Sequence, residues 1–236
     1  MKQLLTILAM LIAAGCADDN VSIFVTGVIP PEMDEDSCSF DPSVDVTLLS
    51  PGAYNIESDL ILGRQPDYNL VMSASNSLQR RAISGRAETN GINITRTEVT
   101  IQALDGSALN LGGLPNPFSV PASAFIPPAA DPMTPGRGVV SSTVIPAQYA
   151  TSLATSLPRD SMGRLVESTI VVAVKLVGET QGHIDIESDE FTWPIQLCGG
   201  FCLFTCGEMF TPYCLPGQDA VTVVTNTQTP MCLPTM

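Results

Sequence analysis

Residues 168 to 178 read STIVVAVKLVG, a nearly continuous apolar run rich in β-branched side chains. Successive side chains on a strand point to opposite faces, so a run without polar alternation needs cover on both sides. No other segment restricts the fold as sharply: this stretch is a strand covered on both faces.

Other segments supply neighbours for it. VSIFVTGVI (21–29), VDVTLL (44–49), YNLVMSASNSL (68–78), INITRTEVTIQAL (92–104) and GVVSSTVI (138–145) are strand-like, being rich in β-branched residues. Pro30-Pro31, Pro51-Gly52 and Asn90-Gly91 punctuate them, the last being the favoured dipeptide of a two-residue hairpin turn. PPEMDEDSCSFDPS, from residue 30, reads as a carboxylate-rich loop. In INITRTEVTIQAL, Ile92 and Ile94 share one phase while Val99, Ile101 and Ala103 share the other. A period of two cannot hold both, so a bulge is expected near Arg96 and Thr97. HIDIESDEFTWPIQL (183–197) has the same conflict between Ile184, Ile186 and Phe191, Trp193, Ile195, Leu197, which places a second bulge around Glu187 to Glu190.

Residues 115–135 hold seven prolines. Proline lacks the ladder donor, so this reads as an ordered surface crossing with at most an edge strand at Phe118 to Val120; a linker between two domains is the alternative. One helix is expected with Pro146 as its first residue, where Tyr149, Leu153 and Leu157 recur every fourth residue until Pro158 stops the run. Its single apolar stripe suits capping a sheet. Strands at regular spacing with turn-rich connections predict an all-β fold: a single immunoglobulin-like β-sandwich with one short helix and a disulfide-rich C-terminal tail.

The chain opens MKQLLTILAMLIAAGCADDN: Lys2, an uncharged and mostly apolar stretch to Gly15, then Cys16 and acidic residues. The outline is that of a signal peptide, too short for the roughly 20 residues a spanning helix needs. Ala13-Ala14-Gly15 before Cys16 resembles the lipobox of bacterial lipoproteins, although Ala13 stands where Leu is commonest. That resemblance implies cleavage before Cys16, acylation of its thiol and usually of the new amino terminus, and, with Ala17 rather than Asp following, an outer-membrane destination. An ordinary secretory signal is the alternative. The organisation expected is a lipoprotein signal peptide at 1–15, a lipidated tether at 16–20, the β-sandwich at 21–197 and a Cys-rich tail at 198–236.

Without residues 1–15, 9 basic and 24 acidic side chains remain. So acidic a chain is a poor partner for nucleic acid or anionic lipid, both of which reward clustered Lys and Arg. The remaining cysteines, Cys38, Cys198, Cys202, Cys206, Cys214 and Cys232, number six. In an oxidising compartment an even set reads as three disulfides, with Cys214 to Cys232 one candidate pair around AVTVVT (220–225). Zinc ligands usually come in closer pairs, and no histidine lies nearby. No CxxC redox motif is present.

His183 is the only histidine and no GxSxG accompanies it, so it is read as a hairpin-corner residue rather than a triad member. Asp185, Glu187, Asp189 and Glu190 could hold calcium or act as an acid and base pair, yet alternating carboxylates usually mark a strand's solvated face. Glu32, Asp34, Glu35 and Asp36 are read the same way. Asn93-Ile94-Thr95 fits a glycosylation sequon. FTWPIQLC with CLPGQDAVTVVTNTQTPMC resembles the tails of uncharacterised Cys-rich cell-surface lipoproteins, a likeness that covers 168–236 and implies location and fold alone.

These readings lead to a non-enzymatic outer-membrane lipoprotein with an envelope-structural or interaction role. Its partners are then the membrane, through the lipid anchor, and an envelope protein or glycan. The alternative is a module on the cell surface binding a glycan, small molecule or calcium. No catalytic residue, metal site or cofactor is implied.

Overall fold

The computed structural model describes residues 22–29, 32–34, 37–43, 51–56, 67–80, 87–163 and 165–198. In chain order, β1 is Ile23–Val28, β2 Glu32–Asp34, β3 Ser37–Ser39, β4 Gly52–Asn55, β5 Tyr68–Asn76, β6 Ile92–Gln102, β7 Phe118–Ile126 and β8 Gly136–Ile145. The helix α1, Ala147–Ser156, follows, and then β9 Ser168–Thr180, β10 Asp185–Glu187 and β11 Phe191–Cys198. STIVVAVKLVG falls in β9, the central strand of a sheet ordered β4-β11-β9-β6-β7, with β10 paired to the end of β9. A second sheet runs β1-β5-β8, and β2 and β3 form a separate hairpin. The chain is therefore an all-β sandwich with one short helix among the described residues.

The two inner faces form one core. Val99, Ile101, Val172, Val174, Trp193 and Ile195 from the larger sheet are buried with Tyr68, Leu70, Met72, Val140 and Val144 from the smaller one. Each such side chain contributes about 1.5–3 kcal/mol when fully removed from water. Polar bonds cross the same interface: Thr97 Oγ1 lies 2.6 Å from Ser142 Oγ, and Trp193 Nε1 donates to the Tyr68 hydroxyl at 3.4 Å. The ring of Tyr68 also meets Tyr54 edge to face, at 5.5 Å between centroids. On the outward side of β9, Ala173 and Val177 are buried too, which accounts for the run lacking polar alternation.

Both expected bulges are present. In β6 the register slips between Ile94 and Arg96, so Thr95 is extra, one residue before the expected place. Thr95 and Arg96 then face outward together, and Ile94 and Thr97 on either side both face the core. Gly178 of β9 lies opposite. A Cβ there would come within 2.2 Å of the Asn93 carbonyl oxygen, so the close approach requires glycine. The second bulge spans Ser188 to Glu190, three residues between the pairs Glu187–Val177 and Phe191–Val174, where β9 supplies two. Ser188 holds it together: its N–H donates to Leu176 O and its Oγ accepts from Leu176 N–H, both at 2.9 Å.

The helix closes one end of the sandwich. Tyr149, Ala150, Leu153 and Ala154 face the core, Asp67 Oδ1 accepts the Ala147 N–H at 2.8 Å, and the Tyr149 ring stacks on Phe118 at 4.3 Å. At the other end Asn76, fully buried, donates through Nδ2 to the carbonyls of Asn90, Ile126 and Pro127 and accepts the Leu78 N–H. There the connection from β7 to β8 passes from one sheet to the other. Gly136 makes that passage possible, since a Cβ on it would sit 1.8 Å from Pro127 O.

Four expectations need correction. β7 is nine residues long rather than three, because Pro121 sits on an edge strand at the register slip, where its missing donor leaves no inner ladder bond unmade. Asn90-Gly91 closes no hairpin, since β5 and β6 belong to different sheets; Gly91 is instead needed for space, with the Phe125 ring 2.7 Å from where a Cβ would stand. The loop beginning at Pro30 contains the β2–β3 hairpin. Gly52, read as part of a turn, opens β4, which pairs in parallel with β11. VDVTLL, the signal peptide and tether, and the tail from residue 199 lie outside the described residues.

Candidate functional site

The β6 bulge makes one hollow on the outer face of the larger sheet. Thr95 and Arg96 project side by side above a hollow of about 240 Å³, lined also by Val177, the Gly178 backbone, Glu179, Asp185 and Glu187. Thr95 Oγ1 donates to Val177 O at 3.3 Å and so fixes one wall. The carboxylates come from two adjacent strands, for Asp185 pairs with Glu179, and Glu187 with Val177.

Two of these charges, Glu187 and Arg96, each have a partner of opposite sign from outside the lining. Lys175 donates a short hydrogen bond to Glu187 Oε2, and Arg96 Nη2 lies 3.4 Å from Glu98 Oε1. The hydrogen bond from Lys175 holds the Glu187 carboxyl below its ordinary range and, reciprocally, raises the Lys175 ammonium. A general acid needs the opposite displacement, towards neutral pH, so the shift of Glu187 does not favour that role. The hollow is thus a polar notch with carboxylates in excess that could accept a small hydrogen-bonding group.

Of the side chains singled out in the sequence, Asp185 and Glu187 meet at this notch, whereas Asp189 and Glu190 turn outward on the Ser188 bulge. Among the described residues no three His, Cys, Asp or Glu side chains converge as a metal ion requires. His183 stands on the β9–β10 turn at φ 60°, with its side chain 84% exposed and Nδ1 3.8 Å from Glu179 Oε2. Such a histidine is a turn residue, as expected. Asn93 and Thr95 of the sequon are both exposed. Cys38 lies in β3 and Cys198 ends β11, with the backbone alone described at each. Cys16, Cys202, Cys206, Cys214 and Cys232 lie outside the described residues, as do Glu35 and Asp36.

Sequence reasoning missed Arg96 and Glu179 as members of the notch. Arg96 carried a signal, namely its place in the phase conflict, because a bulge turns two consecutive side chains outward. Glu179 carried none. Compared with protein-family models, with curated proteins and with solved structures, the chain matches nothing.

Proposed function

We propose that this chain is a lipid-anchored outer-membrane protein whose β-sandwich has an envelope-structural or interaction role rather than a catalytic one. The observation that carries the reading is Ala13-Ala14-Gly15-Cys16 at the end of an apolar run that begins after Lys2. The position of β1 supports it, since Ile23 follows Cys16 by seven positions, a length suited to a short tether. The non-enzymatic part is supported by residue chemistry. The single histidine is an exposed turn residue, and Glu187 in the notch is paired with Lys175, which lowers its pKa rather than raising it as a general acid requires.

The test is the anchor. Cys16→Ser should move the protein out of the membrane fraction and abolish incorporation of labelled palmitate. A parent protein that takes up no label, with a variant that still fractionates with membranes, overturns the reading. For the tail, alkylation and mass measurement before and after reduction should find Cys38, Cys198, Cys202, Cys206, Cys214 and Cys232 protected. Free thiols with bound zinc would replace the disulfides by a metal site.

A further inference from the structure

One end of the sandwich gathers exposed apolar side chains. Phe125 near the end of β7, Met133 on the turn between β7 and β8, and Ile184 after the β9–β10 turn are 49%, 89% and 67% exposed. Register places them together. Ile92, at the start of β6, pairs with Ile126 and with Thr180, so the ends of β7 and β9 lie beside it. Asn76 pairs with both Ile23 and Gly136, and its amide bonds to Asn90, Ile126 and Pro127 bring that end of the smaller sheet to the same place. The three side chains therefore stand at the end where β1 begins.

That coincidence has a mechanical meaning for a chain held at Cys16. The seven positions from Cys16 to Ile23 span at most about 25 Å when fully extended, less than the roughly 43 Å length of a 13-residue strand such as β9. The N-terminal end is thus kept near the bilayer and the helix end is not. Charge gives no help in holding the domain there, because a formal net charge of −14 is repelled by anionic headgroups. Apolar side chains at a membrane interface do not have that problem.

The geometry points to a second membrane contact: with Cys16 acylated, the sandwich rests its N-terminal end on the bilayer and sinks Phe125, Met133 and Ile184 among the lipid headgroups. This rests on the lipid-anchor reading and adds an orientation to it, with the helix end and the β9 start turned away from the membrane. Leu104, Met162 and Val166, also exposed, belong to that far end and provide an internal control.

Lipidated full-length protein reconstituted into phosphatidylcholine vesicles with brominated acyl chains tests the contact. Tryptophan is introduced singly by Met133→Trp, Ile184→Trp or Leu104→Trp, and the emission of the buried native Trp193 is subtracted using the parent protein. All three positions are exposed, so folding is not at stake. Side chains sunk about 5–10 Å into the headgroup boundary reach the bromines, so emission at 133 and 184 should fall about twofold while that at 104 stays constant. Intact mass reports acylation of Cys16 in the same samples. Acylation without quenching at 133 and 184, or with equal quenching at 104, overturns the tip contact and leaves the anchor standing. A mass without acyl chains overturns both.

Discussion

Ser75 and Asn76 are neighbours on β5, both buried, and they have opposite energetic signs. The Asn76 amide satisfies three carbonyls and one N–H, whereas Ser75 Oγ is buried without a hydrogen-bond partner. Asn76→Leu strands those backbone groups and should cost about 2–4 kcal/mol in urea unfolding, seen as a lower midpoint at constant slope. Ser75→Ala removes an unpaired hydroxyl and should be neutral or stabilising by about 1 kcal/mol. Glu187 gives a pH test. Its carboxyl is lowered on folding by the Lys175 hydrogen bond, so its contribution is present above the unfolded pKa and is lost as pH falls through the folded one. Glu187→Gln should therefore be less stable than the parent at pH 7, and the gap should begin to narrow below about pH 4, where the unfolded carboxyl becomes protonated, and vanish once the folded carboxyl is protonated too. Because the pair is exposed, the gap should also be small and should shrink in ~1 M salt, where the Debye length is about 3 Å.

At the scale of the element, the strands were legible wherever burial was one-sided or complete. β6 is the clearest case, since the clash of phases between Ile94 and Val99 announced the bulge at Thr95. That bulge does structural work, so deleting Thr95 should turn either Ile92 and Ile94 or Thr97, Val99 and Ile101 out of the core, and cooperative unfolding should be lost; Thr95→Ala, which keeps the register, should unfold normally. The helix was equally readable from Tyr149, Leu153 and the flanking prolines, with boundaries one residue inside those expected. β7 was not, because a proline-rich sequence is compatible with both a surface crossing and an edge strand. Its inner residues Phe118, Val120, Ala122 and Ala124 do alternate with Ser119, Pro121 and Ser123, but proline count masked the pattern. β4 was missed for a different reason: four residues beginning with glycine carry no period of their own.

Across the whole molecule, the two sheets are joined by apolar packing and by a few buried polar contacts. Thr97 and Ser142, from opposite sheets, are each other's partner at 2.6 Å. Thr97→Val or Ser142→Ala alone should cost about 1–3 kcal/mol by leaving one hydroxyl unpaired, while the double change should cost less than the sum, a non-additivity that a double-mutant cycle reads directly. The sequence by itself determined the all-β class, the cover on both faces of β9, the helix and both register slips, because each follows from side-chain alternation within one segment, which is local geometry. It also marked Asp185 and Glu187 as solvated. Only the tertiary structure decided which strands are neighbours: that β11 pairs with β4 in parallel, that β5 and β6 part company at Asn90-Gly91, and that the connection after β7 crosses between sheets. Those choices depend on contacts between residues far apart in the chain, so no window of sequence contains them. The gathering of Phe125, Met133 and Ile184 beside the start of β1 is of the same kind. Each is an ordinary exposed apolar residue where it stands in the chain, and only strand register sets the three at the end where β1 begins.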